Sequence, residues 1–332
     1  MTHRIRRLLL CSAILFFIVA TPSILFYAWG YSFDWQNKKP VLTGAFYIKS
    51  NTKEAKVYLN DELKKEETPA FIKRLLPKEY QVKITKQGFH PWQKKLRVES
   101  KLVTEARNIL LIPLNPEIEI VNEKLLVDFS LKEFLAQEES DTIFYIQEPS
   151  YILYKTDQNG SYQEQISLAP LLAGHQYQIF VSSNEKIAVL NEKRQLYFLN
   201  PETRSFELLE ENVQEVQFAN DNKKLLYSTP TEIWVYYLED IFIQPNKKAR
   251  EKELITRLSQ KIETAFWYPE TNEHIVFSVD QKVKIIELDD RDYRNTHDLF
   301  NFAVSQIAYS PTDKKLYFVK GNKLLRISLV SE

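Results

Sequence analysis

Cysteine is almost absent. The single one, Cys11, rules out an intramolecular disulfide, so stability has to come from packing alone. Glycine is scarce too, six in 332 residues, too few to supply a phosphate-cradling loop. The five histidines, His3, His90, His175, His274 and His297, are scattered, with no pair at metal-ligand spacing and no further cysteine to join them. A nucleophile elbow of the Gly-x-Ser-x-Gly kind is missing. Asp289-Asp290-Arg291-Asp292 matches no calcium-loop pattern and reads as a charged turn. These absences point away from an enzyme: no catalytic, cofactor-binding or metal-ligating residue stands out, and no cofactor and no nucleic-acid partner is expected.

One long apolar run is present. Leu8 to Tyr31 is 24 residues without a charged side chain. As a helix it spans about 36 Å, enough for the ~30 Å hydrocarbon core of a bilayer. Arg4, Arg6 and Arg7 precede it, and Trp29, Tyr31 and Trp35 crowd its far end. Arginines at one end favour a cytoplasmic N-terminus, and amphipathic rings settle at headgroup level on the other side. Residues 1–7 therefore read as a cytoplasmic stub, 8–31 as a transmembrane helix in contact with the lipid bilayer, 32–43 as a linker, and the rest as extracytoplasmic. A cleaved signal peptide is the competing reading, but the run exceeds the usual apolar length and its cleavage sites are weak. Cys11 lacks the small preceding residue that a lipid-acylation site wants, and reads as a membrane residue. Pro22 sits mid-run, where Thr21 and Ser23 can help accommodate a kink.

Net charge is zero yet unevenly placed. Lys49 to Lys101 holds fourteen basic against seven acidic residues, and Glu117 to Ser150 two against nine. A basic unit next to the membrane is followed by an acidic segment. Such a unit can meet anionic headgroups or wall polymers, although lysines alternating with apolar residues also describe a solvated strand face.

Gln81 to Lys86, Q-V-K-I-T-K, alternates strictly, as a strand with one face in a core does. Gly44–Lys49, Lys56–Leu59, Phe71–Leu75, Trp92–Val98 and Asn108–Leu114 read as further strands, separated by turns at Asn60-Asp61, Leu76 to Glu79 and Gln87-Gly88. The spacing predicts a small β-sandwich over 44–115. Ala55-Lys56-Val57-Tyr58-Leu59-Asn60-Asp61, then Thr68-Pro69, Leu76 to Ile84, and Gly88-Phe89-His90-Pro91-Trp92 resemble the PEGA domain. Thr52-Lys53-Glu54-Ala55 stands where that family has its signature tetrapeptide, and Glu62 where it has a glycine. The resemblance implies a surface β-sandwich used for binding or as a spacer, with Thr68, Pro69, Gly88 and Phe89 as structural motif residues and no catalytic residues to carry over.

From Glu117 onward the chain repeats. Val216 to Tyr227 aligns without a gap on Ile307 to Phe318. Ile179 to Val189 and Phe266 to Phe277 follow the same plan, and a fainter copy centres on Ile143. Taking Ile143, Ile187, Leu225, Ile275 and Leu316 as markers, the offsets are 44, 38, 50 and 41 residues. A period in the low forties with several short strands per unit predicts a five-bladed β-propeller over 116–332. The chain ends just after a third strand, so a segment within Glu117 to Phe129 is expected to complete the last blade. Ser310-Pro311-Thr312-Asp313-Lys314 resembles the turn of TolB-like propellers. A β-sandwich array is the alternative fold.

Two stretches break the rhythm. Glu239 to Leu258 reads as an inserted basic loop and a candidate contact surface. Phe129 to Glu139 has apolar residues near helical spacing and reads as a short packed helix. Trp234, Trp267, Tyr268 and Tyr309 recur at equivalent strand positions, which assigns them to blade packing rather than sugar stacking. Together these readings describe an all-β protein behind one N-terminal helix, an anchored binding or scaffolding protein of a bacterial cell envelope. Its propeller or basic sandwich would hold an unidentified envelope protein or wall polymer. The alternative is an envelope enzyme with its active site in the propeller channel. Nothing in the sequence sets an oligomeric state.

Overall fold

A computed structural model describes residues 3–126, 128–135, 142–268 and 271–328. The chain divides into two compact units. The first holds the residues up to Pro113 together with Arg291–Tyr293, and the second holds Leu114–Asp290 and the residues from Arg294.

The first unit opens with α1 (His3–Ala28), apolar beyond Arg7 and with no buried residue in the apolar window. The helix stops three residues short of the expected Tyr31, because Gly30 takes φ +83° and reverses the chain. Within it the Ser23 hydroxyl donates to the Val19 carbonyl (3.1 Å), one turn back across Pro22. Residues 32–43, expected as a linker, are instead mostly built into a hydrogen-bonded hairpin, β1 (Tyr31–Asp34) and β2 (Lys39–Leu42). Asp34 shapes its turn by accepting the Gln36 and Asn37 N–H groups at 3.0 and 3.2 Å.

Seven strands make the sandwich: β3 (Gly44–Ser50), β4 (Lys56–Leu59), β5 (Glu62–Glu67), β6 (Ala70–Leu75), β7 (Glu79–Thr85), β8 (Trp92–Arg97) and β9 (Val103–Ile109). One sheet is ordered β6-β3-β9, the other β5-β4-β7-β8, and only β3 and β9 run parallel. Their inner faces interdigitate around Phe46, Val57, Val82, Ile84, Trp92 and Leu96. Two features depart from the sequence reading. The strand expected over Asn108–Leu114 lies at Val103–Ile109, while Leu110–Ile112 are buried beyond the end of the ladder. β5, Glu-Leu-Lys-Lys-Glu-Glu, was unforeseen; its charged, exposed side chains are those of an edge strand that discourages further pairing.

The second unit is a five-bladed propeller of antiparallel sheets. Blade 1 has Thr142–Gln147, Ile152–Asp157 and Gln163–Gln165; blade 2 has Tyr177–Val181, Ile187–Asn191, Leu196–Leu199 and Phe206–Glu210. Blade 3 has Glu215–Phe218, Lys224–Ser228, Glu232–Tyr237 and Lys252–Arg257; blade 4 has Ile262–Trp267, His274–Val279, Lys282–Glu287 and Thr296–Asp298. Blade 5 joins Gln306–Ser310, Lys315–Lys320 and Lys323–Ser328 to β10 (Ile118–Asn122), which pairs antiparallel with the last of them. That is the missing outer strand, supplied from the start of the domain. Leu329 lies outside the described residues.

The first strands of successive blades touch one another in order and form the inner ring. The second strands of blades 2 to 4 are covered on both faces, so Ile187–Asn191, Lys224–Ser228 and His274–Val279 are buried throughout. Apolar clusters accordingly fill the spaces between blades 1 and 2, 2 and 3, and 3 and 4. Ile143 proves to be a first-strand residue; the second strand of blade 1 is Ile152–Asp157, so the first repeat marker sat one strand early. In place of the helix expected over Phe129–Glu139 there is a single turn, α2 (Leu131–Phe134), capped by Ser130. Residues 136–139 lie outside the described set. Phe129, Leu131 and Leu135 pack against Tyr317, Val319 and Leu324 of blade 5.

Candidate functional site

The inner strands of blades 2 to 5, with Lys132 of α2, line an open cavity of about 910 Å³. Cross-strand register makes Gln178, Glu215, Thr264 and Gln306 equivalent, one from each blade. Most of these polar groups join neighbouring elements. Glu215 Oε2 accepts the Thr264 hydroxyl and the Ala265 N–H, both at 2.8 Å, while Oε1 receives Lys132 Nζ at 2.5 Å. Gln217 Oε1 accepts the Trp267 backbone N–H at 3.0 Å, and the Gln217 carbonyl accepts the Trp267 indole N–H at 3.2 Å. Gln306 holds α2 by accepting the Leu131 N–H (2.8 Å) and donating to the Phe129 carbonyl (3.0 Å). Inner strands have a free edge toward the ring axis, and these side chains satisfy it where a backbone ladder cannot. Lys132 and Glu215 are the ionisable Lys–acid pair in the lining, and each neutralises the other.

A second device repeats around the ring. Lys186 immediately precedes the second strand of blade 2 and donates to the Asn222 carbonyl in the first turn of blade 3 (2.7 Å) and to Glu239 (2.8 Å). Lys224, at the matching place in blade 3, donates to the Asn272 carbonyl in the first turn of blade 4 (2.7 Å) and to Glu273 (2.7 Å). Burial pushes the Glu273 carboxyl up, against the pull of Lys224. In blade 5 Lys315 occupies this place and reaches Glu119 on β10 at 2.9 Å. This lysine column is visible in the repeat alignment, although nothing there says what it touches.

The stretch Glu239 to Leu258 is only partly an insertion, because Lys252–Arg257 is the outer strand of blade 3. The remaining loop is pinned. Ile241 and Lys247 exchange backbone hydrogen bonds, and Asp240 accepts the Ala249 N–H at 2.9 Å. Lys247 Nζ is buried between Glu253 (2.7 Å) and Asp290 (2.8 Å), with Tyr237 and Arg294 also on Glu253. Burial alone would lower the Lys247 ammonium, and Asp290 and Glu253 reverse this and hold it above its usual range. The turn at Asp289-Asp290 thereby serves an ion pair. At the loop's tip Phe242 is 81% and Ile243 47% exposed.

Arg6 and Arg7 are exposed on the first turns of α1; the side chain of Arg4 lies outside the described residues. Trp29 and Trp35 are exposed and Tyr31 is half-buried. Thr68 is a buried hub whose hydroxyl donates to the Thr52 carbonyl (3.0 Å), accepts the Ala55 N–H (3.1 Å) and lies 2.9 Å from the Ser50 hydroxyl. It fastens the Thr52 to Ala55 turn to β6 through the Thr68-Pro69 peptide. Gly88 turns at φ +83°, and Phe89 packs on the sandwich core. Trp267 is buried at the place that register shares with Phe218 and Tyr309, and Trp234 stacks on Tyr227. His274 is buried beside Thr271, and His175 pairs with Glu192, whose carboxyl it holds low. Among the described residues no group of three or more His, Cys, Asp or Glu is placed to hold a metal ion.

Compared with known proteins, no curated protein matches the chain in sequence. Solved structures resemble it at low identity. The β-propeller domain of Cps50 (Swd1) from Myceliophteria thermophila is 11% identical with a TM-score of 0.34, covering 45% of this chain, which spans 50% of that one. YCF48 from Cyanidioschyzon merolae is 9% identical with a TM-score of 0.39, covering 75% and 77% of the two chains. The Dos1 propeller is 15% identical with a TM-score of 0.37, covering 90% and 81%. Residues 43–110 match the family model of the PEGA domain.

Proposed function

We propose that this is a membrane-anchored, extracytoplasmic binding or scaffolding protein of a bacterial cell envelope, whose propeller holds an envelope protein or wall polymer. The observation that carries the reading is the Phe242-Ile243 tip, two bare apolar side chains on a loop fixed at its base by the buried Lys247–Glu253–Asp290 cluster. An ordered apolar prong on a polar surface has the character of an interface anchor. The inner ring favours binding over catalysis, since Glu215 is taken up by three donors and Gln217 and Gln306 by backbone groups. The length and exposure of α1, with Arg6 and Arg7 in its first turns, support a single span with the N-terminus inside and both β-units outside. The Ser310 to Lys314 turn adds a local likeness to TolB-like propellers.

A photo-reactive phenylalanine analogue in place of Phe242, activated in intact cells, tests this. A discrete cross-linked protein band, or a ladder collapsed by muramidase, supports the reading. Absence of both, with the protein folded and in the membrane, counts against it.

A further inference from the structure

The apolar helix is not joined to the sandwich by a loose tether. Arg74, near the end of β6, donates from Nη2 to the Tyr27 carbonyl at 2.8 Å and lays its guanidinium 3.3 Å above the Tyr27 ring. A cation there meets both the unsatisfied carbonyls and the negative end of the helix dipole. Thr43 then closes the hairpin, its N–H and hydroxyl reaching the Gly30 carbonyl at 3.0 and 2.8 Å, and β3 begins at the next residue. Phe26, in the last turns of α1, packs edge-to-face on Tyr31 at 5.3 Å, so the base of the hairpin stands beside the helix end.

What the hairpin displays is apolar and basic. Register puts Tyr31, Phe33, Pro40 and Leu42 on one face. Trp35 is 82% exposed and meets Phe33 edge-to-face at 4.7 Å. Lys38, in the same turn, and Lys39, the first residue of β2, are exposed, while the Asp34 carboxylate across from Lys39 is engaged by Gln36 and Asn37. A two-stranded hairpin of this size is marginal in water. Amphipathic rings beside lysines are instead the composition favoured at the membrane–water boundary, where an anionic surface attracts each lysine. The chain sets the distance: Tyr31 follows Ala28 by three residues, roughly 10 Å even fully extended. The headgroup layer beyond the hydrocarbon core is about 5–7 Å deep on each side.

Taking α1 as a membrane span, we propose that hairpin β1–β2 is a headgroup-binding element. Phe33 and Trp35 seat among the lipid headgroups, Lys38 and Lys39 contact the phosphates of anionic phospholipids, and Arg74 fixes the sandwich to the helix that brings it there.

The full chain in lipid nanodiscs tests this with two probes. A fluorophore on Cys11, the sole thiol, reports whether α1 lies in the bilayer through quenching by acyl-chain nitroxide lipid. Trp35 reports the hairpin in a W29F background, compared with W29F/W35F, using headgroup-nitroxide lipid; the other tryptophans lie in the β-units. The expected result is that W29F, in which Trp35 is one of four tryptophans, loses a clear share of its emission, up to about a quarter, to the headgroup quencher in discs containing phosphatidylglycerol. The double variant should lose little, and K38E/K39E should cut the Trp35 quenching at least twofold in anionic but not zwitterionic discs. A quenched Cys11 probe with no difference between W29F and W29F/W35F overturns the headgroup proposal and leaves the anchor standing. Equal quenching of Trp35 with and without the lysines overturns their part in it. An unquenched Cys11 probe overturns both readings.

Discussion

Glu215 of blade 3 holds the edge of blade 4: one carboxylate oxygen accepts both the hydroxyl of Thr264 and the backbone N–H of Ala265, at 2.8 Å each. The other oxygen receives Lys132. Glu215→Ala strands a backbone N–H that the ring geometry offers no other partner, a loss of roughly 2 kcal/mol, while Glu215→Gln keeps an acceptor and costs about half that. Urea unfolding followed through Trp234 and Trp267, both in the propeller, measures the two. Equal losses for the two variants would mean that charge, not the hydrogen bonds, matters at this place.

The blades were legible in sequence because the second strands of blades 2 to 4 are covered on both faces, which leaves apolar runs such as Ile187 to Leu190 and Ile275 to Phe277 at a regular period. Closure was legible for a related reason: a terminal blade short of one strand needs a partner, and Ile118–Asn122 supplies it. The staples were not legible. Glu215 and Gln217 on a strand look like solvent-facing residues, and Lys224 and Lys247 look like surface charge, yet each is tied to a group some 40 to 50 residues away or on another strand. Only the lysine column preceding Ile187, Leu225 and Leu316 hinted that the position was special. Charge likewise hid β5, and the buried run Leu110–Ile112 drew attention from the true strand before it.

Two sandwich glycines serve different ends. A Cβ on Gly44 would lie 2.2 Å from the Glu99 carbonyl oxygen and 2.6 Å from Val98 Cγ1, so Gly44→Ala forces β3 away from that loop at roughly 2–3 kcal/mol. Gly88 has open space around it and φ +83°, so Gly88→Ala costs about 1 kcal/mol through backbone conformation alone. Chemical denaturation read through Trp92, buried in the sandwich core, should rank the two in that order.

Closure of the ring should weaken in acid. Glu119 on β10 lies 2.9 Å from Lys315 and 2.7 Å from Arg326, and their hydrogen bonds hold its carboxyl below the usual range. A carboxyl depressed in the folded state stabilises above its unfolded value, and the contribution disappears as pH falls through the folded one. Hydrogen exchange of Ile118–Asn122 should therefore accelerate, relative to the other outer strands, below the ordinary carboxylate range. Glu119→Gln should exchange faster at neutral pH and lose most of this dependence, and high salt should mimic it, because the pair is exposed.

Lys247 connects stability to the proposed contact. Its ammonium is buried against Glu253 and Asp290, and the loop carrying Phe242 is folded back on it through the Ile241–Lys247 bridge. Lys247→Ala leaves Glu253 to Arg294 and Tyr237 but releases Asp290, a loss of about 2–3 kcal/mol, most of it confined to this corner of blade 3. Hydrogen exchange over residues 239–251 should rise by at least tenfold while the inner ring stays protected. Cross-linking from position 242 should fall in the same variant, since a prong that is no longer held must be ordered again on binding. Loss of protection with undiminished cross-linking would separate the loop's order from its contact and place the anchor in Phe242 alone.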